Sequence, residues 1–272
     1  MTRVFSLAYL TVGDLSPPDA VAAAAEIGYQ AIGVRIAPAA PGGNFSDLIA
    51  DAGLRRATVA RMKDTGVGVF DVEVMRIDAG FDIAKCSPFL ETCAALGAKA
   101  ILVAGDDPDL DRMTQSYAAF CAAARPFGLT ADLEFMPWTT VSNARTAMRI
   151  VRDAAQPNGG ILVDALHFAR SASTLDDIGA IPPAWLHYGQ ICDAPAQVPA
   201  TVEGLIHTAR HERLLPGDGG IELARLFATL PATLPVSVEI PNDRLSRELG
   251  SRAWARRALA ATQTVLASVS KA

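Results

Sequence analysis

Short β-rich apolar runs alternate along this chain with longer alanine-rich stretches whose apolar residues recur every three to four positions. The runs predict strands over 4–10, 30–36, 67–74, 98–104, 129–135, 160–164, 185–192 and 234–240. The stretches predict helices over 17–27, 47–65, 83–96, 110–124, 141–154, 221–230 and 248–268. Ser16 is placed to cap the first helix, and Pro126 with Gly128 ends the fourth. The runs ILVAG and GGILVD are almost continuously apolar, as strands covered on both faces are.

This alternation predicts an α/β fold built on a parallel sheet. A doubly wound open sheet shows the same alternation. It usually carries a glycine-rich fingerprint after its first strand, and TVGDLSPP is not one. The prediction is a (β/α)₈ TIM barrel, one domain over residues 1–272, close to the ~250 residues typical of that fold.

Composition narrows the function classes. Half the residues are hydrophobic and 19% are charged, which excludes a disordered chain. Aromatic residues make up only 6%, so the core must be built from Ala, Val, Ile and Leu. The net charge is −5 with both signs mixed, so no basic stripe is offered to nucleic acid. No apolar run approaches the ~20 residues of a membrane span. Asp14 and two prolines make the N-terminus read as a first strand and its loop rather than a signal peptide. Cys86, Cys93, Cys121 and Cys192 lie far apart, the pattern of reduced thiols in a cytoplasmic protein. A small-molecule substrate is the expected partner, and a homo-oligomer is left open.

The chemistry lies where the late strands end. A strand buried on both faces should end in apolar or turn residues. Instead LEF puts Glu134 at the end of strand five, LVD puts Asp164 at the end of strand six, and SVE puts Glu239 at the end of strand eight. Strand seven, HYGQICD, offers both Gln190 and Asp193. In a barrel these ends lie side by side around the C-terminal face, where barrel enzymes place their active sites. Converging carboxylates repel, and a divalent cation removes the conflict. Oxygen donors favour Mn²⁺ or Mg²⁺, with Zn²⁺ or Co²⁺ as alternatives.

His167, three residues after Asp164, is placed as a general acid or base. His187, early in strand seven, reads as structural, and His207 and His211 as surface residues.

The segments LEFMPW, VDALHF, QICDAP, LLPGDGGIELARL and SVEIP resemble the sugar phosphate isomerase/epimerase superfamily, the xylose isomerase-like barrels. The N-terminal half is similar in architecture only. The resemblance implies one divalent ion held by Glu134, Asp164, Gln190 and Glu239. Histidine is commoner at the third position, and glutamine there looks like the dehydroshikimate dehydratases of the superfamily.

Arg35 and Glu73, ending strands two and three, read either as a buried ion pair or as a polar wall meeting substrate. Arg213, just before LLPGDGG, is a candidate anion anchor, since guanidinium binds carboxylate or phosphate bidentately. Trp138, just past strand five, reads either as an apolar lid or as a packing residue.

The expected function is a metal-dependent isomerase or epimerase acting on a keto sugar or related polyhydroxy carbonyl compound through an enediolate. Glu134 and Glu239 would exchange the proton from opposite sides. The alternative is a lyase resembling 3-dehydroshikimate dehydratase, favoured by Gln190. A non-catalytic binding barrel is a remote third reading. Endonucleolytic cleavage of abasic DNA, known on this barrel, would need a histidine-rich site and a basic groove. Specificity would lie in loops such as APAAPGGNFSD and DAPAQVPATVEG.

Overall fold

The computed structural model describes residues 3–40 and 42–269. Its eight strands are β1 (Phe5–Leu7), β2 (Ala31–Arg35), β3 (Gly68–Ile77), β4 (Ala100–Gly105), β5 (Thr130–Glu134), β6 (Gly159–Asp164), β7 (Gly189–Ile191) and β8 (Val236–Val238). Each pairs in parallel with its sequence neighbours, and β1 also pairs with β8, which closes the barrel. Around it lie α1 (Pro17–Ile27), α2 (Ala52–Thr65), α3 (Ser87–Ala95), α4 (Leu110–Ala124), α5 (Ala144–Ala154), α6 (Ala165–Arg170), α7 (Leu175–Gly179), α8 (Val202–His211), α9 (Leu223–Thr229), α10 (Asp243–Leu249) and α11 (Ser251–Val269). The TIM barrel expected from the sequence is the fold observed.

Local chemistry sets the element ends. Ser16 Oγ accepts from the Asp19 N–H, and the prolines of α1 fill its first turn, where a missing N–H costs nothing. Asp51 and Asn143 cap α2 and α5, so both helices start later than the predicted 47 and 141. Pro88, in the first turn of α3, separates that helix from a 3₁₀ turn over Ile83–Lys85. Gly250, at φ 81°, splits the predicted closing helix into α10 and α11. The short helices α6 and α7 were not predicted; five or six residues are too few to show a period.

Strand period two sorts the side chains into two compartments. Ile32, Val34, Val103, Leu133, Val163 and Val238 point outward and pack with helix residues such as Val21, Phe120 and Trp254 in the main core. The alternate positions point into the barrel, where Ala100, Leu102, Leu162 and Tyr188 form a separate apolar cluster. On the same parity Glu134 follows Asp132, Asp164 follows Leu162, Gln190 follows Tyr188 and Glu239 follows Ser237. The barrel interior therefore mixes this apolar cluster with the buried Asp71, Asp132 and Ser237, and carries further carboxylates at its C-terminal mouth.

All four cysteines are buried and free. Among the described residues, no helix is long and apolar enough to cross a membrane.

Candidate active site

A cavity of about 640 Å³ opens at the C-terminal ends of the strands. Glu134, Glu239, His167, Arg35, Glu73 and Arg213 all line it. Asp164 and Gln190 are fully buried just behind that wall, paired in register across β6 and β7. Residues on both sides of Pro41, in the loop of residues 37–47, also line the cavity, and Pro41 itself lies outside the described residues.

Arg213 is the hinge of the site's electrostatics. It is 2% exposed and lies between two strand-end carboxylates. Its Nη1 donates to Asp164 Oδ2 at 2.7 Å, and its Nη2 pairs with Glu239 Oε2 at 2.8 Å. Its Nε donates to the Ala209 carbonyl at 2.8 Å. Gln190 Nε2 donates to the other Glu239 oxygen at 3.3 Å. Asp164 Oδ1 accepts the His167 N–H at 3.0 Å, so this carboxylate is at once a strand end and the N-cap of α6. That cap turns His167 inward, edge-on to Trp138 at 5.0 Å between ring centroids.

The opposite behaviour of the carboxylates follows from these partners. Burial opposes ionisation of Asp164, but Arg213 and His167 outweigh it and hold its pKa below the usual range. Burial raises Glu134 well above that range, and the charges of Asp164 and Glu239 raise it further. Burial likewise pushes Glu239 up to about 8 against the pull of Arg213. Burial pushes His167 down to about 4, so its imidazole is neutral near pH 7. Its Nε2 lies 3.8 Å from Glu134 Oε1, beyond hydrogen-bond reach. Its Nδ1 is buried without a partner.

The donor chemistry at this mouth fits a hard divalent cation. Three carboxylates and an amide stand at neighbouring strand ends, and Glu134 Oε1 and Gln190 Oε1 are buried without hydrogen-bond partners. Among the described residues, however, no three His, Cys, Asp or Glu side chains are gathered into metal-holding geometry. Arg213 supplies positive charge to Asp164 and Glu239 in this arrangement.

Asp193, the rival of Gln190 on strand seven, has a different role. It is 1% exposed, and its carboxylate accepts four backbone N–H groups: Ala194 at 2.8 Å, Gly217 at 2.9 Å, Gly219 at 3.1 Å and Ile221 at 3.0 Å. It thus pins the PGDGG loop. A Cβ on Gly219 would collide with the Asp193 carboxylate and the Ala194 carbonyl, which is why glycine stands there.

Arg35 and Glu73 form an ion pair at 2.6 Å, and the Arg35 guanidinium lies 4.8 Å over the Tyr9 ring. Strand β3 runs on to Ile77, so Glu73 sits within it rather than at its end as predicted. His187 lies below the site with Nδ1 2.6 Å from Asp132 Oδ1, in space that a Cβ on Gly160 would fill. His211, expected at the surface, lines the cavity and pairs with Asp243 at 3.0 Å.

Sequence reasoning passed over Arg210, Arg76 and Tyr9 as parts of the wall. Arg210 had a signal: it stands three residues before Arg213, in the last turn of the helix that leads up to it.

The model of the xylose isomerase-like TIM barrel family matches residues 21–265. The chain belongs to this family. The 3-dehydroshikimate dehydratase of Pseudomonas aeruginosa is 31% identical over 153 residues, 55% of this chain and 22% of that protein. The match thus spans only about a fifth of the relative's length. A xylose isomerase-like TIM barrel/4-hydroxyphenylpyruvate dioxygenase fusion protein superposes with a TM-score of 0.81 at 22% identity, over 96% of this chain and 42% of that one. The IolI protein, solved with a bound zinc atom, superposes with a TM-score of 0.80 at 18% identity, over 97% and 98%. At these identities the structural likeness speaks for the fold alone.

Proposed function

We propose that this chain is a lyase that eliminates water from a cyclic polyhydroxy ketone of the dehydroshikimate type. One divalent metal ion would be held by Glu134, Asp164, Gln190 and Glu239. The carrying observation is a lopsided acid–base inventory. Epimerisation needs an acid and a base on opposite faces of the reacting carbon. Glu239, the group on the β8 side, is engaged by Arg213 and Gln190. On the β5–β6 side His167 has its Nε2 3.8 Å from Glu134 and keeps Nδ1 unpartnered. A single free acid–base group suits elimination, because it can take the α-proton and return it to the departing hydroxyl. The identity to a named dehydratase supports the same reading. It puts elimination ahead of the isomerisation expected from the sequence.

In this reading the bound ion supplies positive charge beside the carbonyl oxygen, with oxygen donors favouring Mg²⁺ or Mn²⁺ over Zn²⁺. His167 removes the proton between the carbonyl and the carbon that bears the leaving hydroxyl. That hydroxyl then leaves as water with the proton. Tautomerisation of the dienone gives an aromatic dihydroxy acid, so one substrate yields one acid and one water. Trp138 shields His167 from solvent. Arg35, fixed by Glu73 and Tyr9, presents its remaining N–H groups to substrate oxygens. Isomerisation is the second reading, supported by the presence of both Glu134 and Glu239 on the cavity wall.

The test is 3-dehydroshikimate in D₂O with Mn²⁺-restored protein. The expected result is rising ultraviolet absorbance from the aromatic acid. His167→Ala should be ~10²–10⁴-fold slower with unchanged metal content. Deuterium entering recovered substrate at the α-carbon, with no aromatic product, would make the enzyme an isomerase. Equal metal occupancy in wild type, Asp164→Asn and Glu239→Gln would remove the ligand set.

A further inference from the structure

The charges around the cavity do not balance locally. Among the carboxylates on its wall, Glu73 is paired with Arg35 and Glu239 with Arg213, Asp243 meets the His211 imidazole at 3.0 Å, and Glu134 lies 3.8 Å from the His167 imidazole. Asp14 accepts the Ser251 hydroxyl at 2.6 Å. Of the arginines, Arg76 pairs with Asp106 at 3.1 Å, and Arg247, on α10, has no ion-pair or hydrogen-bond partner among the described residues. Arg210 lines the cavity from the last turn of α8, and among the described residues it has neither an ion-pair nor a hydrogen-bond partner. Burial lowers its pKa, and the positive charges of Arg35 and Arg76 lower it further. Three guanidiniums thus bear on one part of the mouth, two matched by a carboxylate each and the third by nothing. Bringing like charges together is unfavourable unless an anion joins them.

We infer that Arg210, flanked by Arg35 and Arg76, is the anchor for a carboxylate carried by the substrate. Arg213, on the same wall, has its guanidinium taken up by Asp164 and Glu239. A monoanion fits better than a phosphate ester, because only one of the three clustered charges is unmatched. The inference rests on reading this cavity as the substrate site. It makes Arg210 a specificity residue that separates ring acids from neutral sugars of similar size.

The probes are 3,4-dihydroxybenzoate and its neutral isostere 3,4-dihydroxybenzamide, titrated calorimetrically into Mn²⁺-restored protein. Wild type should prefer the acid by about tenfold or more, as expected for a charge-assisted hydrogen bond. Arg210→Gln should bind acid and amide alike, Arg210→Lys should keep part of the preference, and Arg76→Gln should reduce it. Arg210 is exposed, so its two variants should melt with wild type, and thermal denaturation checks them together with the part-buried Arg76. Acid and amide binding alike to wild type, including no binding of either, overturns the inference. So does an undiminished preference in Arg210→Gln. Inorganic phosphate displacing the acid more strongly than acetate does would overturn the choice of a carboxylate. Dehydration is followed on the same preparations. Absent turnover with an intact charge preference removes the proposed reaction and leaves the anchor. Turnover without charge preference does the reverse.

Discussion

Replacing Arg213 with methionine should be among the most damaging single changes in the protein. Methionine fills much of the same volume, so the loss is mainly electrostatic. Asp164, 0% exposed, and Glu239, 3% exposed, would each lose a charged partner now at 2.7–2.8 Å. Breaking a buried ion pair by removing one member costs about 3–5 kcal/mol, because the remaining charge is left uncompensated. Here one arginine serves two carboxylates, with Glu134 close enough to feel both. We expect the upper part of that range, read as the loss of unfolding free energy in urea with chelator present.

Two additions make the measurement decisive. If Asp164 and Glu239 are also metal donors, Mn²⁺ can take over the neutralising role. A ligand at about 100 times its Kd returns about 2.7 kcal/mol, so Mn²⁺ should rescue Arg213→Met in proportion to its affinity. Second, neutralising the whole cluster with Arg213→Met, Asp164→Asn and Glu239→Gln together should recover most of the stability without metal. A loss below about 1 kcal/mol in the single variant would refute the electrostatic reasoning. A triple variant as unstable as the single one would show that the loss was packing.

The remaining predictions concern the supports of the site. Asp193→Asn can accept on only one side-chain oxygen, so it should lose roughly 2–4 kcal/mol of stability and admit protease at residues 215–221; unchanged melting and cleavage would exclude the clamp role. His187 is buried enough to disfavour its charge, but the hydrogen bond and charge of Asp132 outweigh this and raise its pKa. A raised folded-state pKa stabilises fully below the unfolded value near ~6.5 and loses that contribution as pH rises through the folded value. The stability difference between wild type and His187→Gln should therefore shrink from pH 5 towards pH 9, and a flat difference would refute it.

The barrel was legible in the sequence because period-two burial and helix spacing are local signals. The strand-end residues were legible for the same reason: Glu134, Asp164 and Glu239 break apolar runs where nothing in a buried strand explains a carboxylate. Arg213 was noticed but not its partners. Its contacts with Asp164, 49 positions away, and Glu239, 26 positions away, are made by barrel closure and leave no trace in spacing. Asp193 and Gln190 could not be told apart in sequence, since both are oxygen donors on one short strand. The loop of glycines that wraps Asp193 occupies its carboxylate, and it arrives from more than twenty residues downstream. The same limit explains Arg210. A surface arginine near a helix end is ordinary in sequence. It becomes informative only when the fold brings Arg35 from β2 and Arg76 from β3 to the mouth that α8 also borders. An unmatched charge is a property of a closed surface. On the proposed reading, one residue on a rim helix would set which substrate this barrel accepts while its strand ends stay as they are.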